Sequence, residues 1–154
     1  MAYDIEVGDK APDFTLKDQS EKEIALGNFK GQKVILSFHP LAWTSVCTAQ
    51  MQDLERHKGD FARMNAVAVG ISVDSVPCKK AWAEAIGVKE TPLLADFWPH
   101  GGVAKSYGIF RERNGFSERA VFILDEEGVV RFKKIYPIRE IPDIGEILRA
   151  TARL

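Results

Sequence analysis

The sequence predicts an α/β fold built on a mixed central sheet with helices on both of its faces. Three observations carry that reading. The apolar runs in "GQKVILSFHP" and "AVAVGIS" have the length and composition of strands buried on both sides. Helical patterns separate the early strands, which implies crossover connections and parallel neighbours. Near the end, "RAVFILDEEGVVRFKKIY" reads as two β-rich arms around a turn, which places an antiparallel pair at one edge.

Taken in order, "DFTL" followed by "KDQSEKEIAL" predicts a short hairpin at the N-terminal edge. Residues 31–40 form the first buried strand, bounded by Gly31 and Pro40. From Ser45 to about Met64 the pattern becomes helical, with Val46, Met51, Leu54, Phe61 and Met64 falling mostly along one stripe. Residues 66–72 are a second buried strand. The stretch "DSVPCKKAWAEAIG" then supplies Asp74 or Ser75 as a cap, Pro77 in the first turn and Gly87 as a stop. "PLLAD" is a third strand, "GGVAKSYG" a short helix closed by Gly108, and Asp125 to Gly128 the turn of the late hairpin. "EIPDIGEILRATARL" ends the chain as an amphipathic helix. A thioredoxin-like fold fits this order, with a flavodoxin-like order as its competitor.

With 154 residues and no repeat or linker, a single domain over 1–154 is expected. The 21 basic and 22 acidic side chains leave a net charge of −1, which gives no electrostatic reason to expect nucleic acid or an anionic membrane as partner. "MAYDIEVGDK" has neither a basic start nor an apolar core, so no secretory signal is expected. No apolar run approaches the roughly 20 residues that cross a bilayer. A cytoplasmic location follows as the expectation, and two cysteines in a reducing compartment point to chemistry rather than to a disulfide framework.

Cys47 lies in "FHPLAWTSVCTAQ", where the first buried strand gives way to a helix. A helix beginning near Ser45 would hold this sulfur in its first turn, beside unpaired N–H groups and the positive end of the dipole, both of which favour a thiolate. Pro40 ends the strand and fixes the approach loop, and Thr44 offers a hydroxyl to an oxygen held beside the sulfur. A nucleophile, a first-turn location and a hydroxyl three residues earlier are the minimum needed to hold a polar O–O substrate in line for attack. The competing reading makes Cys47 an inert small core residue, a common fate of free cysteine.

The spacing P-x-x-x-T-x-x-C, carried by Pro40, Thr44 and Cys47, resembles the active-site motif of the peroxiredoxins. The likeness runs nearly end to end, from "VGDKAPDFTL" through "SVDS" and "PLLADFWPHGGVAKSYGI" to the final hairpin. The "DFWPHG" and "FHPLAWTSVC" segments look most like the alkyl hydroperoxide reductase E subfamily, whose members are often one-cysteine enzymes. The resemblance implies that Cys47 is the peroxidatic residue, that Pro40 shields it, and that the Thr44 hydroxyl binds the peroxide. It also implies an arginine opening a later strand, a place held here by Arg119 in "SERAVFILDEEG". The implied activity is reduction of hydrogen peroxide and organic hydroperoxides through a sulfenic acid, with no cofactor and no metal. Arg119, Thr44 and the N–H groups of residues 46 and 47 would stabilise the leaving oxygen.

A sulfenic acid must be reduced by a thiol. Cys78 is expected in a helix first turn with Lys79 and Lys80 beside it, which would favour its thiolate and suit a resolving cysteine. It stands equally well as a bystander, with an external thiol reductant such as a thioredoxin- or glutaredoxin-like protein doing the work. The resolving position of other branches, five residues after Cys47, is Gln52. His39 reads as a strand-end residue or as a base for Cys47, and Gln50 as a polar neighbour one turn on. His57 and His100 share no metal-ligand spacing with other donors. Trp43, Phe97 and Trp98 are either core or an apolar rim of a homodimer face. Two other classes stay open: a disulfide oxidoreductase, which lacks its C-x-x-C here, and a redox sensor.

Overall fold

The computed structural model describes residues 4–154. Its main sheet has seven strands in the order β2-β1-β5-β4-β3-β8-β9. The strands are β1 (Thr15–Lys17), β2 (Glu23–Ala25), β3 (Lys33–Phe38), β4 (Ala66–Ser72), β5 (Leu93–Ala95), β8 (Arg119–Leu124) and β9 (Val130–Tyr136). β3, β4 and β5 run parallel, whereas β8 lies antiparallel to β3 and β9 antiparallel to β8. β1 and β2 form the expected hairpin and close the other edge against β5. The antiparallel β8 beside β3 excludes the flavodoxin-like order, which is wholly parallel at that point.

Alternation along the strands sorts the core into two layers. Val34, Leu36 and Phe38 of β3 join Ala120, Phe122 and Leu124 of β8 on one face, where Tyr107 and Phe14 also pack. Ile35, Val121 and Ile123 face the other way, onto Met51, Leu54, Phe61, Trp82 and Ile147. That second face carries α1 (Ser45–Arg56), α2 (Lys58–Arg63), α3 (Val76–Ile86) and α5 (Ile144–Ala152). The first carries α4 (Gly102–Ser106) and a 3-10 turn at Leu26–Phe29. Helices therefore cover both faces, unequally.

The helical pattern from Ser45 to Met64 is two helices, not one. The ladder survives the junction, since His57 N–H reaches Asp53 O and Phe61 N–H reaches His57 O. His57 itself departs from helical geometry, with φ −101° and ψ 13°. Its ring is 2.8 Å from the Asp60 carboxylate. A second small hairpin, β6 (Phe110–Arg111) with β7 (Phe116–Ser117), is an addition to the expected elements. Its turn contains Asn114 and Gly115, the latter at φ +75°, so the Asn-Gly turn signal was there to be read.

The capping of α3 settles one choice left open. Ser75, in extended geometry, is the cap whose hydroxyl accepts the Cys78 N–H, and Gly87 stops the helix in the left-handed region at φ 76°. Asp74 is thereby released to point elsewhere. No helix among the described residues is long and apolar enough to cross a membrane.

Candidate active site

The topology brings three strand ends together. Parallel β3 and β4 finish at the same end of the sheet, and antiparallel β8 begins there, because Ser37 pairs with Val121 two residues into that strand. The carboxyl ends of parallel strands are where open α/β sheets place their sites. Cys47, Thr44, Pro40, Arg119, Asp74 and Cys78 all sit at or just beyond this end.

Cys47 is the third residue of α1 and is fully buried. Thr44 is the N-cap by backbone geometry, yet its hydroxyl caps nothing. It donates instead to Leu41 O at 2.9 Å, within the same loop. The first-turn N–H groups of α1 are therefore left facing the site, and the Thr44 oxygen keeps its acceptor lone pairs. Pro40, two residues beyond the end of β3, is buried.

Arg119 opens β8 and is almost wholly buried. Its Nη1 donates to Cys47 Sγ at 3.2 Å and to Gln50 Oε1 at 2.8 Å. Nε and Nη2 both donate to Ile138 O, at 3.0 and 2.7 Å. Ile138 follows β9 two residues beyond Tyr136, the register partner of Arg119, so the hairpin itself delivers this acceptor. Gln50 then donates from Nε2 to Ser37 Oγ at 2.7 Å and to Phe38 O at 3.2 Å. A guanidinium fixed on two sides in this way can hold its charge against the sulfur without a carboxylate to neutralise it.

Four expected residues, Pro40, Thr44, Cys47 and Arg119, are thus assembled at one end of the sheet. Gln50 proves central to holding Arg119. Its position one turn after Cys47 was the only sign of this in the sequence. Ser37 and the Ile138 carbonyl went unread, because neither a buried serine nor a backbone oxygen has a sequence signature.

Behind the thiol, His39 Nε2 lies 3.0 Å from Nζ of Lys79, a lysine with no exposed surface. An ammonium only donates, so Nε2 must accept, and Nδ1–H is left to face Ser37 O at 3.4 Å. Burial, then the Lys79 charge and, more weakly, that of Arg119 hold the His39 pKa well below 6.5. With its one basic nitrogen committed to Lys79, His39 is not a base for Cys47. Burial lowers Lys79 to about 8, against the pull of Asp74 and the two cysteine sulfurs.

Cys78 lies in the first turn of α3 as expected and is half-buried. Its thiol pKa is raised, against the expectation that Lys79 and Lys80 would depress it. Burial and the Asp74 carboxylate, whose Oδ1 is 3.7 Å from Sγ, outweigh a side-chain bond from Trp43 and the Lys79 charge. The aromatic trio is no part of the core: Trp43, Phe97 and Trp98 are 56%, 52% and 80% exposed.

A buried cysteine at a helix start, an arginine on its sulfur and a thioredoxin-like sheet define the class of thiol-dependent peroxidases. The sequence profile of the AhpC/TSA family matches residues 7–133, and the chain belongs to that family. Among its relatives, alkyl hydroperoxide reductase E of Mycobacterium tuberculosis is 40% identical over 140 residues, covering 90% of this chain and 91% of that protein. Peroxiredoxin-1 of Gekko japonicus is 34% identical, over 96% of this chain and 76% of its own length. The reduced 2-Cys peroxiredoxin of Plasmodium vivax superposes with a TM-score of 0.86 at 29% identity, covering 94% of this chain and 79% of that one. The chain is accordingly a peroxiredoxin-type oxidoreductase, a peroxidase with an antioxidant function.

Proposed function

We propose that Cys47 is the peroxidatic thiol, acting on hydrogen peroxide and organic hydroperoxides, with Thr44, Pro40 and Arg119 as its working partners. The observation that carries this reading is the 3.2 Å contact of Arg119 Nη1 with a sulfur in the first turn of α1. The Cys47 thiolate attacks the terminal oxygen of ROOH, the O–O bond breaks, and the electron pair leaves on RO⁻, which takes a proton to become ROH. Cys47 is left as –SOH. The hydroperoxide O–H donates to the Thr44 oxygen, whose own hydrogen is occupied by Leu41 O. Arg119 has one further N–H for the departing oxygen, where negative charge grows most. Pro40 covers the sulfur from the strand side and keeps bulk water from it.

The sulfenate is reset by Cys78 through an intramolecular disulfide or by an external thiol of thioredoxin or glutaredoxin type. The raised thiol pKa of Cys78 lowers the thiolate fraction available to attack the sulfenic acid and so slows this reset, in which the S–S bond forms as the sulfenic oxygen leaves as water. A homodimer formed through the rim of Trp43, Phe97 and Trp98 would cover aromatic surface that is costly to expose. A reducing cytoplasm suits two free thiols.

Replacing Cys47 by Ser tests the reading: peroxide consumption should vanish, and retained turnover would end it. Mass analysis under non-reducing conditions after one equivalent of peroxide separates the two resets. A loss of two hydrogens relative to the reduced chain marks Cys47–Cys78, and a dimedone adduct on Cys47 marks an external reductant.

A further inference from the structure

Asp74 is half-buried just beyond β4, and its carboxylate reaches three different segments. Oδ2 accepts the Ala42 backbone N–H at 2.8 Å and the Ser72 hydroxyl at 2.5 Å. Oδ1 accepts the Cys78 thiol at 3.7 Å. Ala42 lies inside the five-residue loop that carries Pro40 at one end and Thr44 at the other. The next residue, Trp43, adopts φ +72°, a conformation that side-chain-bearing residues rarely hold unless something fixes them there. Within that loop the Thr44–Leu41 bond is local, so it can travel with the loop. The Ala42–Asp74 bond ties the loop to the body of the fold.

We propose that Asp74 is a positioning residue, a latch that holds the Pro40–Thr44 loop over Cys47 through the Ala42 N–H, and that Cys78 is wired to this latch through the other carboxylate oxygen. The inference rests on the reading of Cys47 as the peroxidatic thiol and of Cys78 as the thiol that resolves its sulfenate. Two steps make opposite demands on the loop. Attack on ROOH needs Thr44 in place, so the latch must be closed. Condensation of Cys47–SOH with Cys78–SH gives the disulfide and one water, and it needs both sulfurs within bonding distance, so a fully buried Cys47 has to come out of its pocket. The bond that must break for this is the one to Ala42, and its breaking also releases the strained Trp43 backbone. Asp74 therefore trades the rate of the first step against the rate of the second.

The opposition of the two rates is what a merely structural aspartate would not produce. Sulfenate formation is followed by quenched-flow dimedone trapping in a Cys78→Ser background, with hydrogen peroxide as probe. Disulfide formation is followed by mass in the chain that keeps both cysteines. Asp74→Ala should slow sulfenate formation by roughly tenfold or more, the scale on which misplaced reacting groups cost rate. The same substitution should speed disulfide closure several-fold. Asp74→Asn keeps an oxygen for Ala42 and Ser72 and should restore sulfenate formation to within about twofold.

Unchanged sulfenate formation in Asp74→Ala overturns the latch. So does a loss of rate that Asp74→Asn fails to rescue, which would make the charge the cause, and so does a disulfide step slowed along with the first. If Asp74→Ala does not fold, Asp74→Glu displaces the acceptor by one methylene with its charge kept, and must show the same opposite changes. Peroxide consumption surviving in Cys47→Ser would instead dismiss the peroxidatic reading, a failure visible without any change at Asp74.

Discussion

The Arg119 nitrogen that donates to Cys47 Sγ also donates to Gln50 Oε1, at 3.2 and 2.8 Å. Apart from the sulfur itself, Gln50 is the side chain among the described residues that fixes this corner of the guanidinium, the rest being held by Ile138 O. The amide is neutral, so it orients Arg119 without drawing off its charge.

Removing Gln50 should therefore act on rate through Arg119. Gln50→Leu fills much the same space but offers no acceptor, and kcat/KM for peroxide should fall about tenfold, worth about 1.4 kcal/mol in the transition state. Gln50→Glu keeps an acceptor but sets a carboxylate against Arg119, so it should recover little of that rate. Its stability should drop by about 1–2 kcal/mol, because a buried carboxylate facing Phe38 O replaces a donor. Stopped-flow peroxide reduction and urea unfolding on the same variants check both halves.

Lys79 makes a prediction about alkaline pH. Its pKa is about 8 in the folded chain and 10.5 when solvated, so between those values the unfolded state binds more protons. Stability should accordingly rise with pH across that window, by about 3 kcal/mol in full. Lys79→Met removes the buried charge and should flatten this slope relative to the wild type. It should also raise stability at pH 7, since an ammonium whose close partner is a neutral imidazole is costly to bury. Urea midpoints at several pH values between 7 and 10.5 decide it, and a parallel slope in both proteins would place the charge elsewhere.

How far the sequence could be read divides along a physical line. Patterns repeated over many residues were legible: the apolar runs of β3 and β4, the Gly87 stop, the turn of β8 and β9. So were the side chains of the P-x-x-x-T-x-x-C motif and Arg119. What escaped were one-off tertiary choices. Asp74 and Ser75 are equally good caps on paper, and only the position of Ala42 decides that Ser75 caps while Asp74 reaches back. Lys79 and Lys80 look alike in sequence, yet one is buried on His39 and the other exposed, since adjacent helical residues point about 100° apart. The same geometry undid the expected help to Cys78, whose nearest charge is a carboxylate and not a lysine.

Glu55 predicts behaviour in acid. Its carboxylate accepts the N–H groups of Lys89, Glu90 and Thr91 and the Thr91 hydroxyl, fastening the connection after α3 to α1. These bonds, led by those from Thr91, overcome the opposing effect of burial and hold the pKa at about 2 instead of 4.5. A lowered carboxylate pKa gives stability that is whole above 4.5 and is lost as pH falls towards 2. Partial exposure limits the contribution to about 1–2 kcal/mol. Glu55→Gln should lose that much at pH 7 and show a shallower fall between pH 4.5 and 2, as thermal or urea melts will reveal.

The last prediction concerns what holds Cys47 in depth. Gly70 sits mid-strand in β4, where a Cβ would lie 2.2 Å from Met51 Sδ and 3.1 Å from a Leu93 methyl. Met51 is fully buried one turn beyond Cys47, so the absence of a side chain at residue 70 is what lets α1 settle onto the sheet. Gly70→Ala should cost about 1–3 kcal/mol by overpacking. Because the strain falls on the helix that carries the thiol, sulfenate formation should slow as well, by a few-fold. Adding Met51→Ala to Gly70→Ala frees the space and should return part of the rate, even though the cavity keeps stability low. Rates and urea midpoints of the single and double variants form a cycle whose coupling term should be at least about 1 kcal/mol in stability. Strict additivity would mean that the helix seats itself by other contacts.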